Sequence, residues 1–155
     1  MNKYDMILLS IACITVIPFA VVDLKKKTIP LKVSLAVLAA AFLVSGYSIV
    51  TGRRDVIHFC MSLMPGALLL LASFMTEEKV GYGDGIIFLI IGNLAGSFIT
   101  SLVLFGTVMI SAILSGTLLI SKKATLQTKI PMIPFAAVSL LTALMLVIGI
   151  MMTEK

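Results

Sequence analysis

Residues 6–23 have the sequence MILLSIACITVIPFAVVD, an apolar run that carries no charge until the aspartate at its end, Asp23. About 20 apolar residues are enough to cross the hydrocarbon core of a bilayer, which is roughly 30 Å thick. The run therefore predicts a membrane-spanning helix. Asp23 stands at its boundary although the whole chain has only seven acidic residues. A carboxylate at such a boundary is costly, so it suggests a function.

The same apolar pattern continues along the chain. Apolar residues make up 60% of it, charged residues 12%, and the mean hydropathy is +1.18, far above that of soluble globular proteins. We expect one integral membrane domain over residues 1–155, all-α and polytopic, with about six transmembrane helices at residues 6–23, 31–50, 56–75, 86–100, 101–121 and 131–152. The boundary near residue 100 carries no charge, so five spans with one broken helix is the alternative. The first run is not a predicted signal peptide, because no small-x-small site precedes Asp23 and more spans follow.

The distribution of lysine and arginine predicts how the chain is oriented. Eight of the 12 basic residues fall in loops on the side of Asp23 and of a second boundary aspartate, Asp84, and four fall on the other side. Because cytoplasmic loops are enriched in lysine and arginine, we expect both aspartates at the cytoplasmic face of the cell membrane and the N-terminus outside. Arg53 and Arg54 are the exception to this bias. The net charge of +5 suits anionic lipid headgroups and predicts no nucleic-acid partner.

Asp84 lies in VGYGDG, residues 80–85, directly before the apolar run that begins at Ile86. Three glycines surround it, and their backbone freedom predicts a loop against which a substrate strand can lie: Gly81, Gly83 and Gly85. If the carboxylates of Asp23 and Asp84 come within a few ångströms, they hold one proton between them. One carboxylate can then activate water while the other donates a proton to a carbonyl oxygen. The pair predicts an aspartic protease that needs no metal or other cofactor.

Three further polar or reactive residues are assigned to packing. Cys13 and Cys60 fall inside predicted helices without CxxC spacing, so we expect two buried thiols and no zinc site. Asn93 lies between Gly92 and Gly96, a spacing that predicts a close helix crossing with Asn93 hydrogen-bonded across it.

The letters VGYGD are also the core of the potassium-channel selectivity filter, in which backbone carbonyls replace the hydration shell of the ion. Lys79 occupies the position where that filter has threonine, and a fixed cation there would repel the permeant ion. The filter aspartate also faces outward, whereas the charge distribution predicts Asp84 inside. A cation channel or proton-conducting protein is therefore the weaker hypothesis.

Three segments together resemble the type IV prepilin peptidases (leader peptidases), membrane aspartic proteases of the GxGD type. They are Asp23 followed by Ile29-Pro30, the Gly81-x-Gly83-Asp84 motif, and residues 129–135, KIPMIPF, near the start of the last span. The resemblance implies cleavage of the short basic leader of prepilins, pseudopilins or preflagellins at the cytoplasmic face, for type IV pilus assembly or secretion. It implies that Asp23 and Asp84 are catalytic, that residues 131–135 pack near them, and that substrate-binding or loop-shaping residues are Gly81, Gly83, Gly85, Pro30 and Pro134.

The chain departs from the family pattern in three ways. Longer members carry a cytoplasmic insertion with paired CxxC motifs and also methylate the new N-terminus; this chain has neither, so it resembles the short form and methyl transfer is not expected. Leu31 stands where members often have asparagine, and Ile86 where they often have lysine. The missing lysine removes a charge that could tune the dyad, which makes an inactive peptidase homologue a further alternative. Without substrate, we expect the two carboxyl groups to be too far apart to share a proton.

Overall fold

The computed structural model describes residues 3–26, 29–76, 81–121 and 132–153. These residues contain no strand and form six helices: α1 (Lys3–Lys26), α2 (Leu31–Val50), α3 (Val56–Met75), α4 (Tyr82–Ala95), α5 (Ser97–Ile120) and α6 (Ile133–Thr153). Every one of them except α4 is long and apolar enough to cross a membrane. The predicted all-α, polytopic membrane fold is confirmed.

The bounds of α4 differ from the prediction. The helix begins at Tyr82 and not at Ile86, so Gly83 and Asp84 lie in its first turn and not in a loop. It ends before Gly96, whose φ of +84° is a left-handed conformation that favours glycine. With 14 residues, α4 is about 21 Å long, which is shorter than a hydrocarbon core of roughly 30 Å.

The connection from α1 to α2 brings the Ile29-Pro30 pair next to the end of α1. α1 continues one turn beyond its predicted boundary, to Lys26, so Asp23 lies inside its last turn. A residue before proline disfavours helical conformation, and Ile29-Pro30 accordingly separates the two helices. The carbonyl of Pro30 then accepts hydrogen bonds from two N–H groups in the first turn of α2, at 3.0 and 3.1 Å.

α4 is the buried centre of the bundle. It contacts α1, α2, α3 and α5, while α6 packs against α1 and α5. Most of its apolar side chains are buried: Ile86, Ile87, Phe88, Ile90, Ile91 and Leu94. Because Asp84 lies in the first turn of this helix, whatever fixes the position of α4 also fixes the position of Asp84.

Glycines bring α3 and α4 into backbone contact. A Cβ added to Gly66 of α3 would lie 2.6 Å from the backbone nitrogen of Leu89, and one added to Gly92 would overlap the carbonyl oxygen of Ser62. Closely spaced small residues allow such an approach between membrane helices. The predicted close crossing at Gly92 is confirmed, whereas Gly96 ends the helix and takes no part in the crossing.

The residues assigned to packing have mixed outcomes. Ser45 of α2 donates a hydrogen bond to the backbone carbonyl of Asn93 at 2.9 Å and also contacts its side-chain oxygen, so the predicted bonding of Asn93 to another helix is confirmed. Cys13 is buried, as predicted. The prediction for Cys60 is wrong: this thiol is exposed, because it lies on a face of α3 that no described helix covers.

Candidate active site

Asp23 is buried in the last turn of α1, with 6% of its surface exposed. Its carboxylate accepts a hydrogen bond from the backbone N–H of Ile133, the first residue of α6. That N–H is one of the four that a helix leaves without an internal partner, and the positive end of the helix dipole lies there. The other carboxylate oxygen, Oδ2, is buried and has no hydrogen-bond partner among the described residues. Asp23 lies at the C-terminal end of α1, where the helix dipole disfavours a negative charge, whereas the N-terminal end of α6 favours one.

Asp84 occupies the third position of α4, and its side chain folds back on Gly81, the residue that precedes the helix. The carboxylate accepts a hydrogen bond from the N–H of Gly81, and the N–H of Asp84 donates to the Gly81 carbonyl at 3.0 Å. A first-turn carboxylate bonded to the N-cap amide is one half of a capping box. Local helix capping therefore sets the direction of the Asp84 side chain.

The two carboxyl groups interact across the interface of α1 and α4. Burial raises the pKa of Asp84 to about 6, and the negative charge of Asp23 contributes to the same rise, while the hydrogen bond from Gly81 opposes it. Asp84 precedes the apolar part of α4 and lies outside the five candidate spans. A carboxyl group with such a pKa is partly protonated near neutral pH. Two such groups can act as a general acid and a general base.

Ile29 joins the two motifs physically. Its side chain fills the space beside Gly83, where an added Cβ would overlap the terminal methyl group and lie 3.1 Å from the Cβ of Ile29. Leu70 of α3 fills the space beside Gly85, where an added Cβ would lie 2.6 Å from the Leu70 Cγ. The sequence predicted free space for a substrate strand at these glycines, but at Gly83 and Gly85 the protein's own side chains occupy it. Among the three glycines, only Gly81 is exposed.

The two prolines of the predicted site stand at helix starts. Pro30 is the N-cap residue of α2, next to Ile29, and Pro134 is the second residue of α6, next to the Ile133 amide that binds Asp23. Proline suits a first turn because an N–H there has no internal partner. The sequence did not single out the Ile133 amide, and Pro134 is the signal for the helix start that supplies it. Pro131 lies outside the described residues.

The backbone at the GYGD letters differs from that of an ion filter. Tyr82, Gly83 and Asp84 are helical, and the Gly81 carbonyl accepts a hydrogen bond from Asp84. A selectivity filter needs carbonyl groups that face the ion. The described residues therefore give no support to the channel hypothesis.

The sequence matches the model of a known protein family. The model of the type IV leader peptidase family matches residues 7–120, a range that contains Asp23, Asp84 and the glycines around Asp84. The chain belongs to the type IV leader peptidase family. The resemblance predicted from the motifs is confirmed. The family match indicates a peptidase, and the long apolar helices indicate a multi-pass membrane protein. Comparisons with curated proteins and with solved structures found no match.

This member of the leader peptidase family differs from the expected pattern at position 86. Ile86 is buried in the core around α4, with 7% exposed. A lysine at such a position would need a partner for its charge. A positive charge at position 86 would lower the pKa of Asp84. Ile86 carries none, so burial and the charge of Asp23 raise this pKa without being offset from position 86.

Proposed function

We propose that this chain is a membrane aspartic endopeptidase that cleaves the leader peptide of type IV prepilin-like substrates, with Asp23 and Asp84 as the catalytic pair. Family membership supports a leader peptidase in general. The observation that carries the aspartic type is the packing of α1 against α4, which brings the buried Asp23 close enough to Asp84 for the charges of the two carboxyl groups to couple. A structural role for either residue alone does not require this coupling.

Hydrolysis by such a pair needs no covalent intermediate. The ionised carboxylate takes a proton from water, and the water oxygen bonds to the scissile carbonyl carbon while the protonated carboxyl group donates to the carbonyl oxygen. The carbon–nitrogen bond then breaks as the carboxyl group that received the proton from water gives it to the leaving amine, and a hydroxyl group of the intermediate returns a proton to the other carboxylate. In this proposal Oδ2 of Asp23 is the oxygen that receives the proton from water, because no described group bonds to it.

The substrate in this proposal is a membrane helix with a short basic leader, which reaches the dyad by lateral diffusion. The excess of lysine on the side of the dyad supports a cytoplasmic site in the cell membrane, with the N-terminus outside. Lys25 and Lys32 are exposed on either side of the Ile29-Pro30 connection. Methyl transfer is not part of the proposal, because the chain lacks the CxxC insertion.

Co-expression with candidate prepilins tests the proposal. We expect Asp23→Asn and Asp84→Asn each to abolish the leader-sized mobility shift while the protein still accumulates in the membrane. Asp55→Asn is the matched control: it also removes one carboxylate, but Asp55 is exposed and lies before α3 without a side-chain cap bond. Cleavage that survives either of the first two substitutions removes that residue from catalysis. Absence of cleavage by the unmodified protein across several prepilins favours the inactive homologue.

A further inference from the structure

A second polar cluster lies where α4 ends, at the other end of this helix from Asp84. Arg54, in the connection between α2 and α3, is half-buried there. Its guanidinium group donates from Nη1 to the carbonyl of Asn93 and from Nη2 to the carbonyl of Leu94, the latter at 3.2 Å. A helix leaves its last four carbonyls without internal partners, and a cation beside them opposes the negative end of the helix dipole. Arg54 therefore caps the C-terminus of α4 with two hydrogen bonds.

Groups from two other helices hold this cap. Asp5 of α1 lies close enough to interact electrostatically with Arg54. Ser45 of α2 donates a hydrogen bond to the same Asn93 carbonyl that Arg54 binds. The end of α4 is thus connected to α1, to α2 and to the α2–α3 connection at one point.

The short length of α4 explains why it needs such a cap. A helix of about 21 Å that begins at one boundary of a core of roughly 30 Å ends well before the other. Unpaired carbonyls at that depth are strongly unfavourable, because no water is present to bind them. Arg54 reaches the carbonyls from the neighbouring connection. The contact also explains why Arg54 occurs in a connection on the membrane side where basic residues are few.

We propose that Arg54 is a positioning residue for Asp84: it holds the C-terminus of α4 at a fixed depth and thereby holds the Asp84 carboxyl group opposite Asp23. Asp84 and the Asn93 carbonyl that Arg54 binds are about 14 Å apart along one helix, so a shift of its C-terminus also shifts Asp84. Without Arg54, the C-terminus of α4 moves toward the membrane surface opposite Asp84, where water can bind its carbonyls. Asp84, at the other end of the helix, is then drawn into the membrane and away from Asp23. This inference rests on the proposed function for its kinetic test.

The kinetic test compares Arg54→Gln with Arg53→Gln. Both remove one positive charge from the same connection, but Arg53 lies over the ring of Tyr4, at 4.9 Å, and not against α4. We expect Arg54→Gln to lower kcat for prepilin cleavage roughly 10- to 100-fold with KM unchanged, as for a displaced catalytic group, and Arg53→Gln to leave kcat unchanged. Arg54→Lys should be intermediate, because an ammonium group cannot reproduce the two-pronged contact. An increase in KM alone overturns the inference, since it indicates a substrate contact.

A second measurement does not depend on catalysis. Tyr82, the first residue of α4, is replaced by cysteine in a chain that carries Cys13→Ala and Cys60→Ala, and its reaction with a membrane-impermeant maleimide is followed. Arg54→Gln should slow this reaction relative to Arg53→Gln, because α4 draws position 82 into the membrane. Equal maleimide reaction rates in Arg54→Gln and Arg53→Gln overturn the inference. This result does not require that the protein cleaves a prepilin, so it separates failure of the inference from failure of the proposed function. If Arg54→Gln does not accumulate, a kcat of Arg54→Lys equal to that of the unmodified protein overturns it.

Discussion

Replacement of Gly83 by alanine should disturb the contact that joins the two aspartate motifs. The added methyl group would overlap the end of the Ile29 side chain and lie 3.0 Å from its Cγ1. Ile29 is attached to Pro30, the N-cap residue of α2, so it has limited freedom to withdraw. The overlap therefore separates α4 from the segment that follows Asp23, and the distance between the two carboxyl groups changes.

The expected magnitude follows from the overlap. Extra methyl groups in a packed interior cost roughly 1–3 kcal/mol. If the whole cost appears in the transition state, kcat/KM falls roughly 5- to 150-fold, since about 1.4 kcal/mol corresponds to a factor of ten. The atom nearest to the new methyl is the end of a flexible side chain, so part of the strain relaxes by rotation of Ile29. We therefore expect a loss of roughly tenfold.

A double-mutant cycle on purified protein and a prepilin substrate tests this reasoning. Ile29→Ala removes the overlapping atoms, so the loss caused by Gly83→Ala should be small in the Ile29→Ala background, with a coupling of roughly 0.5–3 kcal/mol. Gly46→Ala is the control, because nothing lies within 4 Å of a Cβ added there. The reasoning is refuted if Gly83→Ala cleaves as fast as the unmodified protein, or if Ile29→Ala does not rescue it.

Two further predictions concern pH and packing. Because burial and Asp23 raise the pKa of Asp84 to about 6, and the pair needs one proton, kcat/KM should fall as pH rises through about 6; a flat profile to about pH 9 contradicts this. The pKa of Asp84 in the folded protein is above that of an ordinary aspartate, so ionisation of Asp84 disfavours the folded state, and the free energy of unfolding should fall as the pH rises from about 4 to about 6. In thermal unfolding, the stability of Asp84→Asn should not show this fall with rising pH. Gly92→Ala should lower the Tm, at a cost of roughly 3 kcal/mol, because the added Cβ meets the Ser62 carbonyl. Gly116→Ala is the control and should leave the Tm unchanged, since nothing lies within 4 Å of a Cβ added there. Equal Tm values for the two variants would contradict the close crossing.

Hydropathy predicted most of the fold because the thickness of the bilayer sets the length of each apolar run. It failed at α4, where it placed the helix start one turn late, at Ile86 in place of Tyr82. Gly83 and Asp84 interrupt an apolar run, yet both suit a first helical turn in which the carboxylate caps the helix. Polar capping residues therefore hide the start of a helix from a method that counts only apolar residues.

The candidate site was predictable in its residues but not in its contacts. Asp23 and Asp84 stand out because carboxylates are rare at apolar boundaries. The packing of α6 against α1 brings the Ile133 amide to Asp23, and no local pattern encodes the order of helices in a bundle. Arg54 was visible only as an exception to the charge bias, since its partners are backbone carbonyls distant in sequence.

The decisive measurement is the cleavage rate of one prepilin by purified Asp23→Asn, Asp84→Asn and the double variant in lipid bilayers, beside Asp55→Asn. Residues that act as one catalytic unit are strongly non-additive. We predict that each single substitution abolishes cleavage, that the double variant is no worse than either, and that Asp55→Asn cleaves normally. Cleavage by either single variant at a rate near that of the unmodified protein would contradict the catalytic pair.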